Sequence, residues 1–200
     1  MKLYYAPGAC SLAPHIALEE AGLPHDLVKV DLMKHTLADG TNFRSINPKG
    51  YVPFVQLDDG SSLSEASVIL QYVADRKPGT LAPVFGTAER WHLMEWLAFI
   101  ATEVHKGFAP LWNPATPPEV RERTKQALGN RFSYIEKTLA AQPFLGGSTF
   151  SIADAYLFTT VNWSGMLNLD LTPWPALVAF QQRVAARPGV QRALKAEGLI

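Results

Sequence analysis

Cys10 and Ser11 lie where an apolar, strand-like run gives way to a helical pattern. Lys2 to Tyr5 is short and carries two β-favouring aromatics, Ala6-Pro7-Gly8-Ala9 breaks it, and helical spacing starts at Leu12. A helix N-terminus presents unpaired N–H groups and a partial positive charge, and both stabilise a thiolate, whether of the protein or of a bound thiol. Lowering a thiol pKa by about two units takes roughly 2.7 kcal/mol of differential stabilisation. A helix terminus supplies ~0.3–2 kcal/mol and a charge-assisted hydrogen bond ~1.5–3 kcal/mol, so this chemistry needs no metal. The competing reading of Cys10 is a small buried apolar residue. Ser11 is either a hydrogen-bond donor to the same sulfur or the N-cap of the helix.

Other polar residues sit where they can form a cleft. Ala98, Thr102 and His105 fall at i, i+4 and i+7 and share a helix face. That face is small and polar, opposite the apolar stripe Leu93, Leu97, Ile100 and Val104, and it suits either a cleft wall or an ordinary surface. Glu103 and Lys106 flank His105. Glu65-Ala66 opens a helix directly after a strand, where an acidic residue complements the helix dipole. Phe108, Trp112 and Trp163 belong either to the core or to an apolar pocket. Ser151-Ile152-Ala153-Asp154 is a capping box and carries no chemistry, with Phe150 placed as an apolar staple against Ala155. The five histidines and single cysteine show no zinc spacing, so no metal is expected, and no phosphate-binding glycine motif is present.

The elements that must position these residues fall into two halves. Up to Lys77 the order is β-α-β-(α)-β-β-α: strand Lys2 to Tyr5, helix Leu12 to Ala21 stopped by Gly22 and Pro24, strand Leu27 to Asp31, and an irregular Asp39 to Asn47 with a helical turn. Strand Pro53 to Leu57 follows, then the Asp58-Asp59-Gly60 turn, strand Ser61 to Leu63, and helix Ala66 to Asp75 burying Val68, Ile69, Tyr72 and Val73. Helices between strands imply a mixed sheet covered by helices. Beyond Pro78-Gly79 and Pro83 only helical patterns remain: Glu89 to Phe108, Glu119 to Ala141, Ser151 to Leu167, Trp174 to Arg187 and Gly189 to Glu197. The expected division is residues 1–77, a linker 78–87, and an all-α domain 88–200.

Composition narrows the class. The 18 basic and 18 acidic side chains balance to zero, which argues against nucleic acid or an anionic membrane as partner. One cysteine cannot form an internal disulfide, which points to a reducing, cytoplasmic setting. No signal peptide or membrane-spanning run is evident.

A small α/β domain with Cys10-Ser11 on its first turn, followed by an all-α domain, resembles a glutathione S-transferase over the whole chain. The likeness is carried by Ala6-Pro7-Gly8-Ala9-Cys10-Ser11, Asn47-Pro48-Lys49-Gly50-Tyr51-Val52-Pro53, Leu63-Ser64-Glu65-Ala66-Ser67, His105-Lys106-Gly107-Phe108 and Phe150-Ser151-Ile152-Ala153-Asp154. The cysteine is similar to that of the bacterial beta class. The run from Trp174-Pro175 to the C-terminus is similar to members found in pathways that degrade aromatic pollutants. The resemblance implies a thioredoxin-like N-terminal domain joined to a helical bundle, a homodimer, glutathione in the first domain and an apolar electrophile between the two.

It also implies residue roles. Cys10, Ser11 and His105 would surround the glutathione sulfur. Pro53 would follow a cis bond, leaving Val52 to pair with the cysteinyl backbone. The N–H groups of Ala66 and Ser67 would hold the γ-glutamyl carboxylate, and Glu65 the ammonium group. Ala66 stands where many members carry serine. His35 stands where relatives often use lysine against the glycine carboxylate. Thr102 would approach glutathione from the second domain, Glu103 and Lys106 would meet glutathione or the partner subunit or else form a solvated charge pair, and Phe108, Trp112 and Trp163 would line the electrophile pocket. The activity implied is conjugation of glutathione to small hydrophobic or halogenated aromatic electrophiles, as in detoxification. Two alternatives are a glutathione-dependent thiol–disulfide reductase or reductive dehalogenase using Cys10, and a non-catalytic ligand carrier or interaction scaffold.

Overall fold

A computed structural model describes residues 1–200. The first half is a four-stranded mixed sheet in the order β2-β1-β3-β4, formed by β1 (Lys2–Tyr5), β2 (Asp26–Lys29), β3 (Phe54–Gln56) and β4 (Ser62–Ser64). β2 runs parallel to β1 and β3 antiparallel to it, with Leu3 opposite Leu27 on one side and Val55 on the other. Alternation sorts the side chains. Leu3 and Val55 are fully buried among α1 (Leu12–Ala21) and α2 (Ala66–Asp75), while Tyr4 and Phe54 pack with Phe43, Val30 and Val52 on the opposite face. α1 ends at Gly22, whose left-handed φ of 59° lets its N–H reach the Glu19 carbonyl. The irregular segment contains one 3₁₀ turn, Phe43–Ser45. This is the thioredoxin-like arrangement, and everything after it is helical.

Two details of α2 differ from the pattern. Val68 is exposed and Tyr72 only partly covered, while Leu70 joins Ile69 and Val73 in the core. The apolar run Val68-Ile69-Leu70 offers two neighbouring faces, and the sheet takes the one centred on Ile69 and Val73.

The second half comprises α3 (Ala88–Phe99), α4 (Ala109–Trp112), α5 (Pro118–Ala141), α6 (Ile152–Val161), α7 (Trp163–Met166), α8 (Pro175–Ala185) and α9 (Pro188–Ala196). The stripe Leu93, Leu97, Ile100 and Val104 is buried as its spacing requires. The helix does not stay regular, however: α3 passes into a π-helical stretch over Ile100–His105 and a 3₁₀ turn over Lys106–Phe108. Gly107 lets α5 approach closely there: a Cβ would lie 2.8 Å from Leu128 Cδ2, so that buried leucine would have to shift. Such a widened turn moves residues off the face that strict 3.6-residue spacing gives them.

α6 is buried on every side, as befits a helix with no polar face. Its capping box forms: Ser151 N–H and Oγ donate to Asp154 Oδ2 at 2.8 and 2.7 Å, and Leu145 N–H donates to Oδ1 at 2.8 Å. The two halves are stitched by polar contacts. Arg90 donates twice to Asp75, at 2.8 and 3.0 Å, and Arg192 Nε donates to Glu19 at 2.6 Å. The buried His15 Nδ1 meets Glu197 Oε1 at 2.8 Å.

Candidate functional site

A cavity of about 540 Å³ opens between the two halves. The first half contributes Cys10 after β1, His35, the loop from Lys49 to Pro53, and the start of α2 from Ser64 to Ser67; the second contributes Ala101, Thr102, His105, Lys106 and Tyr156. The loop that delivers Cys10 is fixed from the helical half. Gly8 N–H donates to Glu197 Oε2 at 2.9 Å, and Gly8 C=O accepts from Trp163 Nε1 at 2.9 Å.

Cys10 is partly buried, and its S–H donates to the Val52 carbonyl at 3.2 Å. Burial pushes its pKa up to about 12, against the lowering effects of its own and Ser11's backbone N–H and of the Lys106 ammonium; Glu65 adds to the rise. Of the two thiols that the helix start could ionise, the protein's own is held as the neutral S–H in the unliganded cavity, because desolvation outweighs the helix terminus.

Ser11 also departs from its expected roles. Its side chain is fully buried, its hydroxyl donates to the Ala6 carbonyl and accepts from the Ala6 N–H, both at 3.2 Å, and it makes no capping bond to α1. The oxygen is occupied by the loop ahead of it and does not line the cavity.

The Val52–Pro53 peptide is cis. Glu65 precedes α2 with a left-handed φ of 72°, and Lys49 Nζ donates to its carboxylate at 3.0 Å and to Ser64 Oγ at 3.1 Å. The first-turn N–H groups of Ala66 and Ser67 face no earlier turn and are free to meet an anion. His35 takes a left-handed φ of 54°, and its Nε2 meets Arg44 Nη2 at 3.1 Å.

From the helical half, His105 Nδ1 meets the Tyr156 hydroxyl at 2.7 Å. Burial first, then the Lys106 charge, lowers the His105 pKa to about 4, with Glu65 acting the other way. Burial raises that of Tyr156. Both are therefore neutral near pH 7. When Tyr156 donates to Nδ1, the ring proton lies on Nε2.

Four other residues are corrected, whereas Glu103 forms a partly exposed charge pair with Arg131, which donates to it at 2.8 Å, and does not line this subunit's own cavity. Ala98 likewise does not line it; the π-helical stretch brings Ala101 to the wall beside Thr102 and His105. Phe108 and Trp163 are core residues, packed edge-on at 5.6 Å. Trp112 is exposed, packs edge-on against Trp163, and is not among the residues lining the cavity. The sequence reading missed Lys49 and Tyr156. Lys49 lay inside a recognised motif, and Tyr156 inside an unbroken apolar helix whose only visible signal was the cap.

Family models match both halves: the glutathione S-transferase N-terminal domain over residues 8–76 and the C-terminal domain over residues 99–188. The chain is 48% identical to the glutathione S-transferase GstA of Escherichia coli O157:H7, with all of both chains covered. Among solved structures it is similar to a ternary complex of BphK, a bacterial glutathione S-transferase, at 53% identity and a TM-score of 0.97, covering 99% of this chain and 100% of that one. It is also similar to the bacterial beta-class glutathione S-transferase of Sphingomonas chungbukensis, at 45% identity and a TM-score of 0.95 with full coverage of both chains. Sequence, topology and domain order thus agree, and the chain belongs to the glutathione S-transferase family, among its bacterial beta-class members.

Proposed function

We propose that this transferase seats glutathione in the interdomain cavity and directs its sulfur at small hydrophobic or halogenated aromatic electrophiles. The observation carrying this reading is that Cys10, the Val52 peptide, the first turn of α2 and His105 with Lys106 all line one cavity. Val52 would pair with the cysteinyl backbone, Ala66 and Ser67 N–H with the γ-glutamyl carboxylate, and Glu65 with the ammonium group, exchanging its Lys49 partner for the ligand. His35 and the released Lys49 would take the glycine carboxylate. Lys106 supplies the nearby positive charge, Thr102 a polar wall, and His105 Nε2–H a donor to the sulfur. The sulfur then forms a bond to the electrophilic carbon. For a halogenated substrate, the carbon–halogen pair leaves as halide and the thiol proton goes to solvent. Ala9, Ala101 and Tyr156 offer an apolar side for the electrophile, in place of Phe108 and Trp163.

In this reading the enzyme works in detoxification, in the cytoplasm, as a homodimer of two-domain subunits divided at 1–77, 78–87 and 88–200. The lone cysteine supports the compartment, and exposed Phe85 and Trp91 support a subunit contact. The test is calorimetric titration with glutathione, together with a chlorodinitrobenzene conjugation assay. Saturation at 100 times Kd adds about 2.7 kcal/mol of stability. Glu65→Ala is expected to raise the Kd for glutathione at least ~10-fold, the size of one lost charge-assisted hydrogen bond. Absence of glutathione binding by the unaltered chain rejects the proposal.

A further inference from the structure

His15, Glu19 and His25 lie outside the cavity and have no part in the chemistry above. One ligand atom from each falls within 4.8 Å of the other two. Their remaining atoms are already committed. His15 Nδ1 meets the Glu197 carboxylate at 2.8 Å, His25 Nδ1 meets the Leu23 carbonyl at 2.8 Å, and Glu19 Oε2 accepts from Arg192 Nε at 2.6 Å. A carboxylate and a carbonyl only accept, so each Nδ1 carries a proton, and the lone pair that a neutral imidazole offers to a metal then lies on Nε2. His15 is fully buried, and its Nε2 has no hydrogen-bond partner. His25 stands edge-on to it at 5.5 Å, and His25 Nε2 is 3.8 Å from Glu19 Oε1.

We propose that His15, Glu19 and His25 form a divalent transition-metal site of the zinc type, with water as fourth ligand. Two imidazole nitrogens and one carboxylate oxygen suit a borderline ion rather than magnesium or calcium. Ligand atoms of a tetrahedral zinc site lie about 3.4 Å apart, given bonds of about 2.0–2.1 Å. Closure from the observed spacing therefore needs side-chain shifts of about an ångström or less, and His25 and Glu19 are partly exposed and able to make them. The outer partners are those that orient metal-bound histidines elsewhere: a carboxylate behind one ring and a backbone carbonyl behind the other. The ion gives the buried His15 Nε2 the partner it lacks. It also ties α1 to the segment opening β2, beside the contact of Glu19 with α9. In sequence the signature is His15-x₃-Glu19 on one helix face followed by His25, a spacing outside the familiar cysteine-rich zinc patterns.

The test uses the full, tag-free chain after chelator treatment, titrated with cobalt(II) and then zinc(II). One cobalt per chain is expected, with intense visible absorption of a four-coordinate site that zinc abolishes, and zinc raises the melting temperature. Glu19→Gln and His25→Ala, checked for folding by circular dichroism, are each expected to weaken binding at least ~10-fold, the lower bound for disturbing even an outer partner. Cys10→Ala is expected to bind as the unaltered chain does. The proposal is overturned by a wild-type chain that takes up no stoichiometric cobalt or zinc, by folded Glu19→Gln and His25→Ala chains that bind undiminished, or by loss of the site in Cys10→Ala.

Discussion

The Cys10 thiol and the His105 imidazole are both neutral in the unliganded protein, and burial is the leading cause for each. The charges lining the site are instead those of Lys106 and of the Lys49–Glu65 ion pair, and the thiol is not among them in the unliganded protein. This changes what Cys10 should do in solution. With its pKa pushed up to about 12, the thiolate fraction at neutral pH is about 10⁻⁵, against a few per cent for a free thiol. Alkylation by iodoacetamide at pH 7 is expected to run at least ~100-fold slower than for free cysteine, allowing for the greater nucleophilicity of a high-pKa thiolate. The rate should climb steadily with pH and show no plateau up to about pH 10, where an ordinary thiol has already titrated. A rate that levels off near pH 7 would show that the helix terminus wins after all. Cys10 was legible as a site residue because a lone cysteine stood at a strand-to-helix junction. Its protonation state was not, because the chain gives no measure of how deeply the loop from Ala6 to Ala9 is packed.

Among the elements, α6 shows how a local signal organises a larger region. Asp154 serves the Ser151 cap and also receives the Leu145 N–H, so one carboxylate closes the helix and pins the preceding loop. Asp154→Ala leaves both buried N–H groups unpartnered, at about 1–3 kcal/mol each. A loss near 3 kcal/mol is expected, which lowers the melting temperature by about 6–12 °C for a chain of this size. The pH dependence has a definite sign. Burial raises the folded carboxyl to about 6 from 3.8, against the hydrogen bonds that lower it. The folded state therefore holds the proton more tightly than the unfolded chain. Stability from this group is complete below about pH 4 and is lost as pH rises to about 6. Asp154→Asn removes the titration, so its stability deficit relative to wild type should shrink across that window; a deficit independent of pH would contradict the assignment. The cap was readable from Ser151 and Asp154 because its chemistry lies within one turn. The strands and most helices were readable for the same reason, through alternation and 3.6-residue stripes. The widening of α3 over Ile100–His105 was not, since an apolar stripe survives one irregular turn. Strict 3.6-residue spacing therefore puts Ala98 on the cavity face, where the widened turn puts Ala101. Phe108 and Trp163 failed differently: large aromatics at helical spacing look alike in a core and in a pocket, and only the packing of α5 and α6 around them decides.

At the scale of the molecule, the interdomain cavity exists only because the two halves hold a fixed relation. Its walls come from both, and the Cys10 loop is clamped at Gly8 by Glu197 and Trp163. Arg90 and Asp75 form one of the ties between them. Arg90 is 2% exposed and Asp75 half exposed, joined by two hydrogen bonds. Removing Asp75 strands a buried guanidinium, whereas removing both charges does not. Asp75→Ala is expected to cost about 2 kcal/mol, less than for a fully buried pair because water reaches the aspartate side. Arg90→Met in that background should recover most of the loss. The chain carries its own reporters for the two halves. All five tryptophans lie at or beyond Trp91, and the single cysteine lies at position 10. In a urea titration, tryptophan fluorescence and Cys10 reactivity toward a disulfide reagent should change together in the wild type, because neither half retains its buried face without the other. In Asp75→Ala both curves should move to lower urea by the same amount. If the Cys10 curve moved alone, the N-terminal half would be unfolding independently, and the cavity would owe its shape to the helical half and the Gly8 clamp rather than to a single cooperative unit.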